Sequence, residues 1–201
     1  MTRQHTLAET IASILVVAAV ATTGDYVWYT YGVEHRMVAG ITHGIVLLTA
    51  CGLVLGGLRG RVLRGLPIGV LAGLGGALSY YLLVAIMDRR VYGTAIPAAW
   101  VIMWLLLAAM DGRWLLSPVR PWREVATRGV AAAVLGGLAF AVVLTTLWGR
   151  PGPSGRNYLV QFLAWAFAWA PGILAVTWTA RGGVDDGLRG NLGPSNNERS
   201  R

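Results

Sequence analysis

Six continuously apolar stretches, each long enough to cross a bilayer as a helix, constrain this chain more than any other feature. Crossing the ~30 Å hydrocarbon core takes about 20 helical residues. The runs at 8–30, 37–57, 66–87, 92–110, 127–148 and 158–179 each supply them. A transmembrane β-barrel would instead show alternating polarity over strands of about ten residues. The sequence therefore reads as an all-α, polytopic membrane protein: one six-helix domain over 1–181.

Charge supports this reading. Soluble domains carry about 25% charged residues, whereas this chain has 13%, with 55% hydrophobic residues and a mean hydropathy of +0.57. All 17 basic residues are arginine, and they fall almost entirely in the short gaps between apolar runs rather than on one soluble face. That distribution argues for bilayer topology and against a nucleic-acid partner. Cys51 is the only cysteine, so no intrachain disulfide and no cysteine-cluster metal site can form.

The arginines also set an orientation. With the N-terminus inside, the cytoplasmic gaps hold Arg3, Arg59, Arg61, Arg64, Arg113, Arg120, Arg123, Arg128, Arg181, Arg189, Arg199 and Arg201. The outer gaps hold only Arg36, Arg89, Arg90, Arg150 and Arg156. Loops this short obey the positive-inside bias, so both termini are expected in the cytoplasm of a multi-pass protein of the cell (inner) membrane. The first run imitates a signal peptide, with Arg3 ahead of it and Ala19-Val20-Ala21 within it. Glu9 beside the apolar stretch favours retention as a helix. Residues 111–126, with Trp114, Pro118, Pro121 and Trp122 among arginines, are expected along the inner headgroups. The Gly-, Asn- and Ser-rich segment 182–201 reads as a disordered cytoplasmic tail.

Helix association in lipid relies on close packing at small residues. Gly40/Gly44 and Gly52/Gly56 on helix 2, Gly69, Gly73 and Gly76 on helix 3, and Gly129, Gly136 and Gly137 on helix 5 offer such faces. The same faces could dock a second copy or a larger complex. Helices 3 and 5 superpose at an offset of 60 residues, matching Gly69, Val70, Ala72, Gly76 and Leu78 with Gly129, Val130, Ala132, Gly136 and Leu138. This admits a fold built from repeated helical hairpins.

Ionisable residues at membrane depth are costly and so mark candidate sites. Asp25 precedes the tip of the first hairpin near Val33 and Glu34, and His43 follows it at a similar separation. At ~1.5 Å per residue both lie ~13 Å below the tip, which predicts an Asp25–His43 hydrogen bond, direct or through water. His35 belongs to the loop and His5 to the N-terminal segment. Gln161, Trp165 and Trp169 share one face of helix 6, and Pro171 is expected to kink that helix. Tyr26, Trp28, Tyr29, Tyr31, Tyr92, Trp148 and Tyr158 fit an aromatic belt at one interface.

The candidate ligand site is therefore Asp25, Tyr29, His43, Gln161 and Trp165, in a pocket opening outward with an aromatic wall. Its expected role is non-catalytic: binding or passing a small or lipid-like ligand. Two alternatives stand beside it. One is an intramembrane enzyme using Asp25 and His43 as an acid–base or metal-binding pair; the other is an accessory subunit of a membrane complex. No phosphate loop, HExxH or GxSxG motif is present, and the sequence names no cofactor and no dedicated metal site.

Overall fold

The computed structural model describes residues 6–32, 37–86, 95–146 and 157–178. Six helices follow one another: α1 (Leu7–Thr30), α2 (Met37–Leu58), α3 (Val62–Ile86), α4 (Ala95–Met110), α5 (Trp122–Thr146) and α6 (Tyr158–Thr177). A π-helical turn, Asp111–Leu115, extends α4. All six helical segments are long and apolar enough to cross a membrane, and no strand occurs among the described residues. The expected tail over 182–201, the loop residues Glu34, His35 and Arg36, and Asp88, Arg89, Arg90, Arg150 and Arg156 lie outside the described residues.

Local chemistry fixes several helix ends. At the start of α1 the Thr6 hydroxyl accepts from the Glu9 amide at 3.1 Å, while the Glu9 carboxylate accepts from the Thr6 amide at 2.7 Å. This reciprocal capping box satisfies donors that the first turn leaves open. The Asn157 side chain does the same for α6, accepting from Leu159 and Val160 amides at 3.1 and 3.2 Å. α6 runs through Pro171 without interruption. The α2–α3 link is short and turns at Gly60, whose φ of 69° is costly for residues with a side chain. That tight link starts α3 at Val62, ahead of the apolar boundary at 66.

The helices form a closed ring. Each packs against its neighbours in the chain, α6 returns against α1, and α4 reaches α6 across the middle. Leucines and valines such as Leu63, Leu82 and Leu138 are exposed on the outside, as a helix facing lipid on one side and protein on the other requires. The α2–α3 contact is made by backbone. Gly52 lies on Gly65 and Gly69, and Gly73 on Gly44 and Ile45, so closely that a methyl on Gly52, Gly65, Gly69 or Gly73 would overlap main-chain atoms. These glycine faces are thus used within the chain. Gly129 and Gly136 of α5 instead meet α4 side chains, namely Leu105, Trp100 and Trp104. A repeated hairpin is not shown.

The centre is filled by small residues and a tryptophan cluster. Trp100 of α4 stacks on Phe140 of α5 at 4.6 Å and approaches Trp169 of α6 at 5.0 Å; Trp104 lies 5.5 Å from Trp169. Gly172 makes room for the Trp104 ring, which a methyl there would strike. The indole nitrogens of Trp100, Trp104 and Trp169 have no hydrogen-bond partner among the described residues.

The ring has two chemically different ends. Every described arginine lies at the end holding the α1 N-terminus; every described tyrosine lies at the opposite end.

Candidate functional site

Toward the tyrosine end, α1 presents Asp25, which is buried. Its Oδ2 accepts from Gln161 Nε2 at 2.7 Å and from Trp165 Nε1 at 2.6 Å. Both donors sit on α6, one turn apart, so one carboxylate oxygen ties α1 to α6. Hydrogen bonds to a carboxylate are short and strong, and the apolar surroundings leave little water to compete. Phe140 stacks on the other side of Trp165 at 5.7 Å, joining the polar node to the tryptophan cluster. Tyr26 meets Tyr158 edge-to-face at 5.3 Å above it. Tyr29, one turn beyond Asp25, is half-buried.

His43 does not join this node. Its ring lies against Gly24 of α1, where a methyl would overlap the imidazole, and meets Trp28 edge-to-face at 5.7 Å. The expected Asp25–His43 hydrogen bond is replaced by Asp25's bonds to Gln161 and Trp165. The reason is angular. Asp25 and Gly24 are consecutive on a helix, hence about 100° apart around its axis. With Gly24 toward α2 and His43, Asp25 turns toward α6. Separation from the hairpin tip sets depth along a helix but not azimuth around it.

The predicted site residues therefore divide. Asp25, Gln161 and Trp165 come together between α1 and α6. His43 lines a groove of about 630 Å³ between α1 and α2, with Val20, Thr23, Gly24, Trp28, Ala39, Thr42 and Val46 among its walls. Among the described residues His43 is the only ionisable group in that lining. No group of three or more His, Cys, Asp or Glu positioned for a metal ion occurs among the described residues.

At the arginine end the structure holds a charge node that the sequence reading did not isolate. Asp111, fully buried in the π-helical turn, accepts from Arg59 Nε at 3.0 Å and Nη2 at 2.9 Å, and from Arg120 Nη1 at 3.2 Å. Arg120 also donates to the Val176 carbonyl of α6 at 3.2 Å and pairs with Glu124 at 3.2 Å. Arg61 donates to the Leu115 carbonyl at 2.8 Å. Burial pulls Arg120 below the ordinary arginine range, while Asp111 pulls the other way. An arginine, starting above roughly 12, remains cationic.

This node corrects the expectation that all of 111–126 lies along the headgroups. Asp111, Gly112 and Leu115 are buried under the helix ends, α5 begins at Trp122, and Trp114 and Trp122 are exposed as an interfacial belt requires. π-Helical turns widen a helix by one residue and recur at functional positions; here the turn holds Asp111 between the ends of α2 and α6. A single acid closing a long apolar run was the available signal.

No known protein family, curated protein or solved structure matches this chain.

Proposed function

We propose that this protein is a non-catalytic, multi-pass protein of the cell membrane that binds or passes a small, lipid-like amphiphile in the α1–α2 groove. The observation that supports this reading is an apolar groove of about 630 Å³ in which, among the described residues, the half-buried imidazole of His43 is the only ionisable lining group. Its volume falls within the roughly 300–1,000 Å³ of small-molecule sites, and a few polar groups among apolar walls, here His43 with Thr23 and Thr42, are how such sites orient a ligand. His43 offers a donor and an acceptor to a polar head, while Val20, Val46 and Ala39 face an alkyl or ring body. In this reading the Asp25–Gln161–Trp165 node holds α1 in place rather than meeting the ligand. The acid–base alternative loses support, since the carboxylate it needs is bonded to α6.

A photo-crosslinking residue at Thr23 tests the proposal. It should capture a co-purifying amphiphile, and Ala39→Phe should abolish capture while leaving thermal unfolding within about 1 kcal/mol of the parent, as for other partly exposed substitutions. Capture of the same lipid mixture by a probe at the exposed Leu82 would reduce the groove to ordinary bilayer contact and overturn the reading.

The orientation forms part of the proposal: the arginine end faces the cytoplasm, by the positive-inside bias. In a Cys51→Ala background, cysteine at Tyr31 should react with an impermeant thiol reagent in intact cells. Cysteines at Arg64 and Arg123 should react only after permeabilisation. The reverse pattern inverts the topology and places the groove toward the cytoplasm.

A further inference from the structure

A second groove lies between α5 and α6, remote from the α1–α2 site. It has a volume of about 640 Å³. Its floor is made of Ala131, Ala170 and Ala175, and its walls include Leu135, Phe167 and Leu174. Glu124, Arg128 and Trp178 close it at the arginine end. From Glu124 to Leu135 the groove follows α5 for about 16 Å at 1.5 Å per residue. That is about half of a ~30 Å hydrocarbon core, the depth of one leaflet's acyl chain.

The mouth has a definite charge. Arg128 is held by Glu124 at 2.9 Å and by α6 carbonyls, including that of Trp178, so its guanidinium is fixed at the lip. Its Nη2 has no partner among the described residues. Arg123 is exposed one turn before Thr127, itself a lining residue. Among the described lining residues Glu124 is the only carboxylate, and it is already shared by Arg120 and Arg128. Exposed Trp178 lines the mouth, while exposed Trp122, with Arg113 4.8 Å over its ring, stands at the same end of the bundle on the first residue of α5. Tryptophan at headgroup level and arginine facing anionic lipid are the two chemistries of this zone.

We infer that the α5–α6 groove is a binding site for an anionic phospholipid, with one acyl chain along Ala131, Ala170 and Leu174, the phosphate at the lip beside Arg128, and exposed Arg123 adding positive charge at headgroup level. A neutral lipid could fill the apolar floor equally well; the net positive charge of Arg123 and Arg128 against Glu124 selects the negative headgroup. The site is independent of the proposed α1–α2 ligand.

The test uses the full-length protein in phosphatidylcholine vesicles, with trace spin-labelled phosphatidylglycerol or phosphatidylcholine carrying the nitroxide on its acyl chain. The motionally restricted fraction reports lipid held by the protein. Phosphatidylglycerol should be preferred about fivefold, the effect of one basic residue near the headgroup plane. Arg123→Gln should reduce that preference severalfold without moving thermal unfolding. Ala170→Phe, filling the groove floor, should remove it even with both arginines present. Equal restriction of the two lipids overturns the inference. So does a preference that survives both Ala170→Phe and Ala131→Phe, because the charge would then act on surrounding lipid generally and not through the groove.

Discussion

Asp111→Ala is expected to cost about 3–5 kcal/mol of stability, the loss seen when one partner of a buried ion pair is removed. The carboxylate has no solvent exposure and receives both arms of Arg59 and one arm of Arg120. Without it the Arg59 guanidinium is left buried beside Arg120, two like charges with no acid between them. Arg120 keeps Glu124 and the Val176 carbonyl, so the penalty falls mainly on Arg59. Tryptophan-fluorescence melting in detergent should show a large drop in the unfolding temperature. Glu124→Gln serves as the comparison: its carboxylate is 41% exposed, and exposed ion pairs contribute about 0–1 kcal/mol. Equal shifts for the two variants would refute the view that the node holds this end of the ring together. The double variant Arg59→Met/Asp111→Leu should recover part of the loss, because apolar residues often replace a buried pair without cost.

Gly69→Val should leave no folded protein recoverable in mild detergent. A Cβ on Gly69 would stand 2.9 Å from the Leu48 carbonyl carbon and closer still to its oxygen and to the Thr49 Cα. These obstacles are backbone, which cannot rotate aside, so α2 and α3 must separate along their length. Overpacking a core by a methylene costs about 1–3 kcal/mol, and more where the backbone must move. Gly57→Ala is the control, since a Cβ there meets only a Val62 methyl at 3.8 Å. It should be neutral or slightly stabilising, because alanine favours helix over glycine. Size-exclusion profiles and melting of the two variants separate a specific contact from a general intolerance of larger residues. If Gly69→Val elutes and melts like the parent, α2 and α3 do not approach as closely as described.

The two residues in these predictions are not equally visible in the amino-acid sequence. Gly69 stood out because small residues four apart on an apolar run are what helices in lipid need. Asp111 did not, because an acid among arginines at the end of a run reads equally well as a solvated headgroup-level residue. Its burial depends on α2 and α6 ending at the same level, which no local pattern states. The α2–α3 partnership was similarly half-legible. Glycine spacing offers a close face but does not say whether a neighbouring helix or another molecule will cover it.

The candidate site separates these levels most clearly. Sequence alone determined that six apolar helices form, that α1 and α2 are a hairpin, and that Asp25, His43, Gln161 and Trp165 lie within membrane-spanning helices. These follow from hydropathy and from a fixed rise of about 1.5 Å per residue, so they depend only on position along the chain. Tertiary structure alone decided which way each side chain faces. Closing the ring brought α6 against α1, so Asp25 met Gln161 and Trp165. Gly24 admitted His43 to the other side of α1, in the α1–α2 groove. A helix that is apolar all round carries no stripe to fix its rotation. Its azimuth is set by the few polar and small residues that must find partners on neighbours whose order around the ring no single segment encodes.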